Sequence, residues 1–145
     1  MVLQNMKNKI IFVDSDAFIA LAKEDDSNHL KAVALLEKFT NNQVNFITSN
    51  YVFSETVTVL SIRVSHQAAL DFIERIKSPE NPFPIKRVDE DLEEKAIEVF
   101  KNQTSKNTSF VDCINIAICK ELSTDTIFSF DEVYRKNGLS TGAQD

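Results

Sequence analysis

Four acidic residues, Asp14, Glu55, Asp112 and Asp131, stand in segments that are otherwise largely apolar. Asp14 ends the run Ile10-Ile11-Phe12-Val13, and Asp131 follows Ile127-Phe128-Ser129-Phe130. Glu55 and Asp112 interrupt helix-like stretches. Two carboxylates about 4 Å apart repel by roughly 4 kcal/mol at an effective dielectric near 20. Four brought together therefore call for a bound cation. Carboxylates without His or Cys favour Mg²⁺ or Mn²⁺ over Zn²⁺. Mg²⁺ keeps several waters and takes one or two carboxylates plus substrate phosphate. Such an ion activates water and stabilises charge at phosphorus. The chemistry expected is metal-dependent attack on a phosphate ester, with no Ser, Cys or His nucleophile.

The elements that must position these acids follow from periodicity. Lys9–Val13, Val44–Thr48, Ile85–Val88 and Thr126–Ser129 read as short buried strands. Helices are expected over Ala17–Ala22 (capped by Asp16), to about Thr40, to about Val64, through Ile76, to about Lys101, over Phe110–Leu122 and over Asp131–Lys136. Alternating strands and helices argue for an α/β layer fold around a mostly parallel sheet of four or five strands. In such sheets, sites form beyond the carboxyl ends of the strands. Asp14 and Asp131 lie there. The helical neighbours of Glu55 (Tyr51, Val52, Val59 and Ile62) are apolar, which predicts an inward-facing charge. Ser109, Asp112 and Asn115 form one polar stripe on an oily helix.

Each acid also has a bland explanation. Asp14 and Asp131 can cap the helices that follow them. Ser109 to Asp112 matches a capping-box pattern, and a first-turn Asp suits the helix dipole. Glu55 is a surface residue if the helical phase is wrong. Four coincidences in strand-end register are less economical than one site.

Bulk properties bound the rest. The 145 residues suit one domain, with a core over about 9–139 and flexible ends at 1–8 and 140–145. Net charge is −6 and pI about 4.9, which disfavours nucleic-acid binding through a broad basic face. Setting the four acids aside leaves 18 acidic against 16 basic residues, so much of the acidity belongs to one candidate site. The acid-rich stretch Asp89–Glu98 reads as a solvated helix face. Cys113 and Cys119 read as buried thiols, and His29 and His66 as surface residues. No signal peptide and no apolar run near 18 residues appears, so the cytoplasm is the expected compartment, with no membrane partner.

The segments Ile11 to Leu21, Ser54-Glu55 leading to Val59-Leu60 and Arg63-Val64, Ser109 to Asp112, and Ser129-Phe130-Asp131 with Tyr134 resemble the PIN-domain family, and in order and spacing its VapC-type toxin branch. The resemblance covers about Lys9 to Leu139. It implies a three-layer parallel-sheet fold and a Mg²⁺- or Mn²⁺-dependent ribonuclease. Asp14, Glu55, Asp112 and Asp131 match the family's metal-site acids, and Ser109 and Asn115 nearby polar positions. Toxin members pair with an antitoxin and dimerise, so RNA, an antitoxin and a second copy are the implied partners. Arg63 is a candidate phosphate contact. Two departures stand out. Asp16 replaces a usually small or neutral residue, and is read as a helix cap ahead of a supporting acid. The family's last edge strand is not evident in the polar Ser140–Asp145. Asp14-x-Asp16 also resembles haloacid-dehalogenase phosphatases, but the Gly after the second Asp is missing. A non-catalytic PIN-like binding module is the other alternative.

Overall fold

A computed structural model describes residues 7–142. Strand β1 (Ile10–Val13) leads into helix α1 (Ser15–Ala22) and α2 (His29–Asn41). Strand β2 (Asn45–Ser49) is followed by α3 (Asn50–Arg63) and α4 (His66–Lys77). Then come β3 (Ile85–Lys86), α5 (Glu90–Lys101), α6 (Phe110–Glu121), β4 (Thr126–Phe128), α7 (Glu132–Lys136) and β5 (Ser140–Thr141). The sheet order is β3-β2-β1-β4-β5, and every pairing is parallel.

This order carries the functional argument. The chain builds outward from β1 to β3, then returns to place β4 on the other side of β1. The direction of winding reverses between β1 and β4, and crevices open at such switch points. The Asp14 N–H donates to the Phe128 carbonyl at 3.1 Å, continuing the β1–β4 ladder to the first acid.

The central strands are buried on both faces: Ile11, Phe12, Val13, Ile127 and Phe128 are all fully buried. Short, continuous apolar runs suit strands covered by helices on both sides. Phenylalanines fill much of the space. Phe39 packs edge-on against Phe46 and Phe128, and Phe18 against Phe72 and Phe83. Residues Cys113 to Cys119 of α6 are buried without a break. Burial pushes both thiols up, that of Cys119 to about 12. Among the described residues no helix is long and apolar enough to cross a membrane.

Three expectations need correction here. Ser140 and Thr141 pair with Thr126 and Ile127 as the edge strand β5, so the tail is not uniformly unstructured; residues 143–145 lie outside the described residues. At the other end, residues 1–6 lie outside them too, while the Asn8 N–H is fixed to the Gln43 carbonyl at 3.0 Å. His29 is half-buried rather than a surface residue, with Nδ1 at 2.7 Å from the Ala20 carbonyl.

Candidate active site

Asp14 closes β1 and caps α1, its Oδ1 receiving the Ser15 N–H at 2.7 Å. The side chain is 5% exposed. An apolar run that ends in an N-capping residue delivers that carboxylate to the end of the sheet, beside the emerging helix. Asn115, fully buried on α6, donates Nδ2–H to the same oxygen at 3.1 Å. The Tyr134 hydroxyl on α7 donates to Asp14 Oδ2 at 2.6 Å. Three helices thus converge on one carboxylate.

Asp112 stands in the first turn of α6. Its Oδ2 receives the Ser109 N–H at 2.9 Å, while its own N–H donates to Ser109 Oγ at 3.1 Å. The capping box is real, and it spends only one oxygen. Oδ1 lies 3.2 Å from the Tyr134 hydroxyl, on the Asp14 side. The bland and functional readings of Asp112 are therefore compatible.

Asp131 is exposed and caps α7, accepting the Val133 N–H at 3.0 Å. Its charge is felt across the crevice, because it raises both Asp16 and Asp112. Glu55 departs from expectation. Val52, Thr56 and Leu60 form the buried stripe of α3, and Glu55 lies on the exposed side. Ile62, expected to be its inward neighbour, is 78% exposed. Glu55 still reaches the site, because buried Ser15 donates its hydroxyl to Oε1 at 2.8 Å.

Asp16 also departs from expectation. The cap of α1 is Asp14, and Asp16 sits inside the first turn. Its Oδ2 accepts Ser129 Oγ–H at 3.0 Å and the Phe130 N–H at 2.8 Å. Ser129 Oγ in turn accepts the Asp131 N–H at 3.1 Å. Asp16 thereby straps the β4–α7 loop, which carries Asp131, to α1. Arg63 is exposed at the last residue of α3, about 12 Å along the helix from Glu55.

Burial and mutual repulsion raise Asp14, Asp16 and Asp112. Burial, then the charge of Asp16 and more weakly that of Asp112, holds Asp14 well above the usual carboxylate range. Burial raises Asp16 to about 6, and raises Asp112 too. The hydrogen bonds around them act the other way. Among the described residues, Asp16 Oδ1 and Asn115 Oδ1 are buried without a hydrogen-bond partner. No three acids among the described residues close into a ready-made coordination set. The four acids expected to gather into one cluster therefore do not close as a set. Asp14 and Asp112 are the pair that share a partner, the Tyr134 hydroxyl.

Sequence reasoning overlooked two contributors, Tyr134 and Ser15. Tyr134 appeared only inside a motif, and its hydroxyl reaches the site because α7 packs against α6 and β5. Ser15 carried no signal beyond its place after Asp14.

The PIN domain model matches residues 11–138 of the chain. The 23S rRNA-specific endonuclease VapC20 of Mycobacterium tuberculosis strain CDC 1551 is 30% identical over 130 residues, which are 90% of this chain and 95% of that protein. VapC20 of strain H37Rv matches to the same extent. The crystal structure of Mycobacterium tuberculosis VapC20, a sarcin-ricin loop cleaving toxin, aligns with a TM-score of 0.80 and 28% identity, covering 90% of this chain and 96% of that one.

Proposed function

Because the chain belongs to the PIN-domain family, we propose that it is a Mg²⁺- or Mn²⁺-dependent endoribonuclease, the toxin of a type II toxin–antitoxin pair. The observation that carries this reading is Asp14: a buried carboxylate at the β1–β4 switch point, raised by burial and by neighbouring acids. When bound, a divalent ion supplies a polarised water and neutralises charge on the phosphodiester.

The chain's own residues do the rest. Asp14 and Asp112 would hold the ion. Asn115 and Tyr134 fix the Asp14 carboxylate from two sides. Ser15 aims Glu55 at the same crevice, and Asp16 with Ser129 sets the position of Asp131. Ser109 turns Asp112 toward Asp14 by occupying its other oxygen. Arg63, exposed at the end of α3, is the candidate contact for phosphate or for a partner. Since VapC20 is named for 23S rRNA and the sarcin-ricin loop, that loop is the first substrate to try. A cognate antitoxin and a second copy of the chain are the expected partners. The phosphatase alternative lacks the Gly after the second Asp, whereas the PIN domain model matches residues 11–138.

The test is purified protein on ribosomal RNA and on a synthetic sarcin-ricin loop, with Mg²⁺. Discrete cleavage, abolished by EDTA and by Asp14→Asn, is the expected result. Undiminished cleavage in EDTA, or stoichiometric RNA binding without cleavage, overturns the reading.

A further inference from the structure

Tyr134 is fully buried, and its hydroxyl lies among three site residues. It is 2.6 Å from Asp14 Oδ2, 3.2 Å from Asp112 Oδ1 and 2.9 Å from Asn115 Nδ2. An amide NH₂ can only donate, so the phenol oxygen accepts from Asn115. The single phenolic proton is then left for the two carboxylates. It points between them, with the shorter bond to Asp14. A neutral donor thus stands where two like charges face each other, and it locks the rotamer of the more buried one.

We propose that Tyr134 is a positioning residue for the divalent-cation site, its hydroxyl bridging Asp14 and Asp112 and orienting both carboxylates. The inference rests on the proposed cation site and adds a residue to its supporting shell. Groups that orient ligating side chains change metal affinity by roughly 10- to 100-fold when removed. Asp14 keeps its bonds from Ser15 and Asn115 without the hydroxyl, so the lower end of that range applies.

The chain offers a spectroscopic handle. It has two tyrosines and no tryptophan. The other tyrosine, Tyr51, donates to Glu93 and is removed by Tyr51→Phe. In that background, titration with Mg²⁺ or Mn²⁺ is expected to give a saturable near-ultraviolet tyrosine difference signal. Its midpoint should equal the calorimetric Kd. In otherwise wild-type protein, Tyr134→Phe is expected to weaken Mn²⁺ binding about tenfold, with a cooperative melting transition kept in cation-free buffer, since the ring is retained. Equal or tighter Mn²⁺ binding by Tyr134→Phe, or a tyrosine signal silent to a cation that calorimetry sees bind, overturns the inference and leaves the cation site standing. Absence of binding by the wild type overturns both. Should Tyr134→Phe fold poorly, Asn115→Ser tests the same relay. It removes the amide that orients the phenol together with that amide's own bond to Asp14, and a wild-type Kd there counts against the proposal.

Discussion

Ser15 donates its hydroxyl to Glu55 across the α1–α3 junction at 2.8 Å. The donor is buried and the acceptor is exposed. Left to itself, an exposed Glu samples many rotamers. This bond selects the one that leans over the end of β1. Ser15→Ala frees Glu55 without disturbing the core. A hydrogen bond to a charged group is worth about 1.5 kcal/mol or somewhat more. The expected result is a kcat/KM on RNA lowered about tenfold, with a melting temperature within a few degrees of wild type. Full activity in Ser15→Ala would show that Glu55 needs no such restraint.

Asp16 sets a pH dependence of stability. Burial holds it at about 6 in the folded chain, against roughly 3.9 when unfolded. Between those values the folded chain keeps a proton that the unfolded chain has released. Stability therefore falls as pH rises from about 4 to 6 and stays lower above that. Asp14 and Asp112 are raised too, so their contributions have the same sign. Asp16→Asn keeps an acceptor for Ser129 and Phe130 and removes the charge. In metal-free buffer the variant should gain on the order of 2 kcal/mol over wild type at pH 7, and nothing at pH 4. Urea titrations at the two pH values measure this. An equal gap at both would locate the effect in packing instead.

The legible part of this molecule is what a strand end announces. Asp14 and Asp131 were readable because an apolar run stops and a helix must start. Asp112 and Asn115 were readable because helix spacing puts them on one stripe. The sequence predicts the wrong face for Glu55 because α3 carries apolar residues all round, Val59 and Ile62 among them, and only packing decides which are covered. Asp16 is not the cap because Asp14, two residues earlier, is equally suited to capping and occupies that position. Tyr134 and Ser15 were opaque: their contacts cross 120 and 40 residues of sequence, and no local pattern encodes such a bond. Strand β5 is held by backbone pairing of two hydroxyl residues, which have no apolar pattern to read.

Ion binding should itself stabilise the fold. A ligand at a hundred times its Kd adds about 2.7 kcal/mol, or roughly 5–10 °C for a chain of this size. Addition of Mg²⁺ at pH 7 should raise the melting temperature by that order. Asp14→Asn should abolish the increment and Asp112→Asn should reduce it. Asp14→Asn should also melt higher than wild type without metal, because it removes the buried charge that its neighbours oppose. A variant that melts lower in both conditions would argue for a purely structural Asp14.

The C-terminal edge makes the last test. A Cβ at Gly142, just past β5, would lie 2.6 Å from Phe39 Cζ and 3.0 Å from Leu35 Cδ2. Phe39 cannot swing aside, since it is fully buried and wedged between Phe46 and Phe128. Gly142→Ala should cost about 1–3 kcal/mol by overpacking, or peel β5 from β4. Gly138 is a useful contrast. A Cβ there meets nothing within 4 Å, so Gly138→Ala suffers only from its φ of +84°, about 1–2 kcal/mol. Only Gly142 should couple to Phe39. Phe39→Leu removes the ring atoms in the way, so the double variant Gly142→Ala/Phe39→Leu should be less destabilised than the two single losses combined. Simple additivity at Gly142, as expected at Gly138, would mean that β5 does not press the chain against that ring.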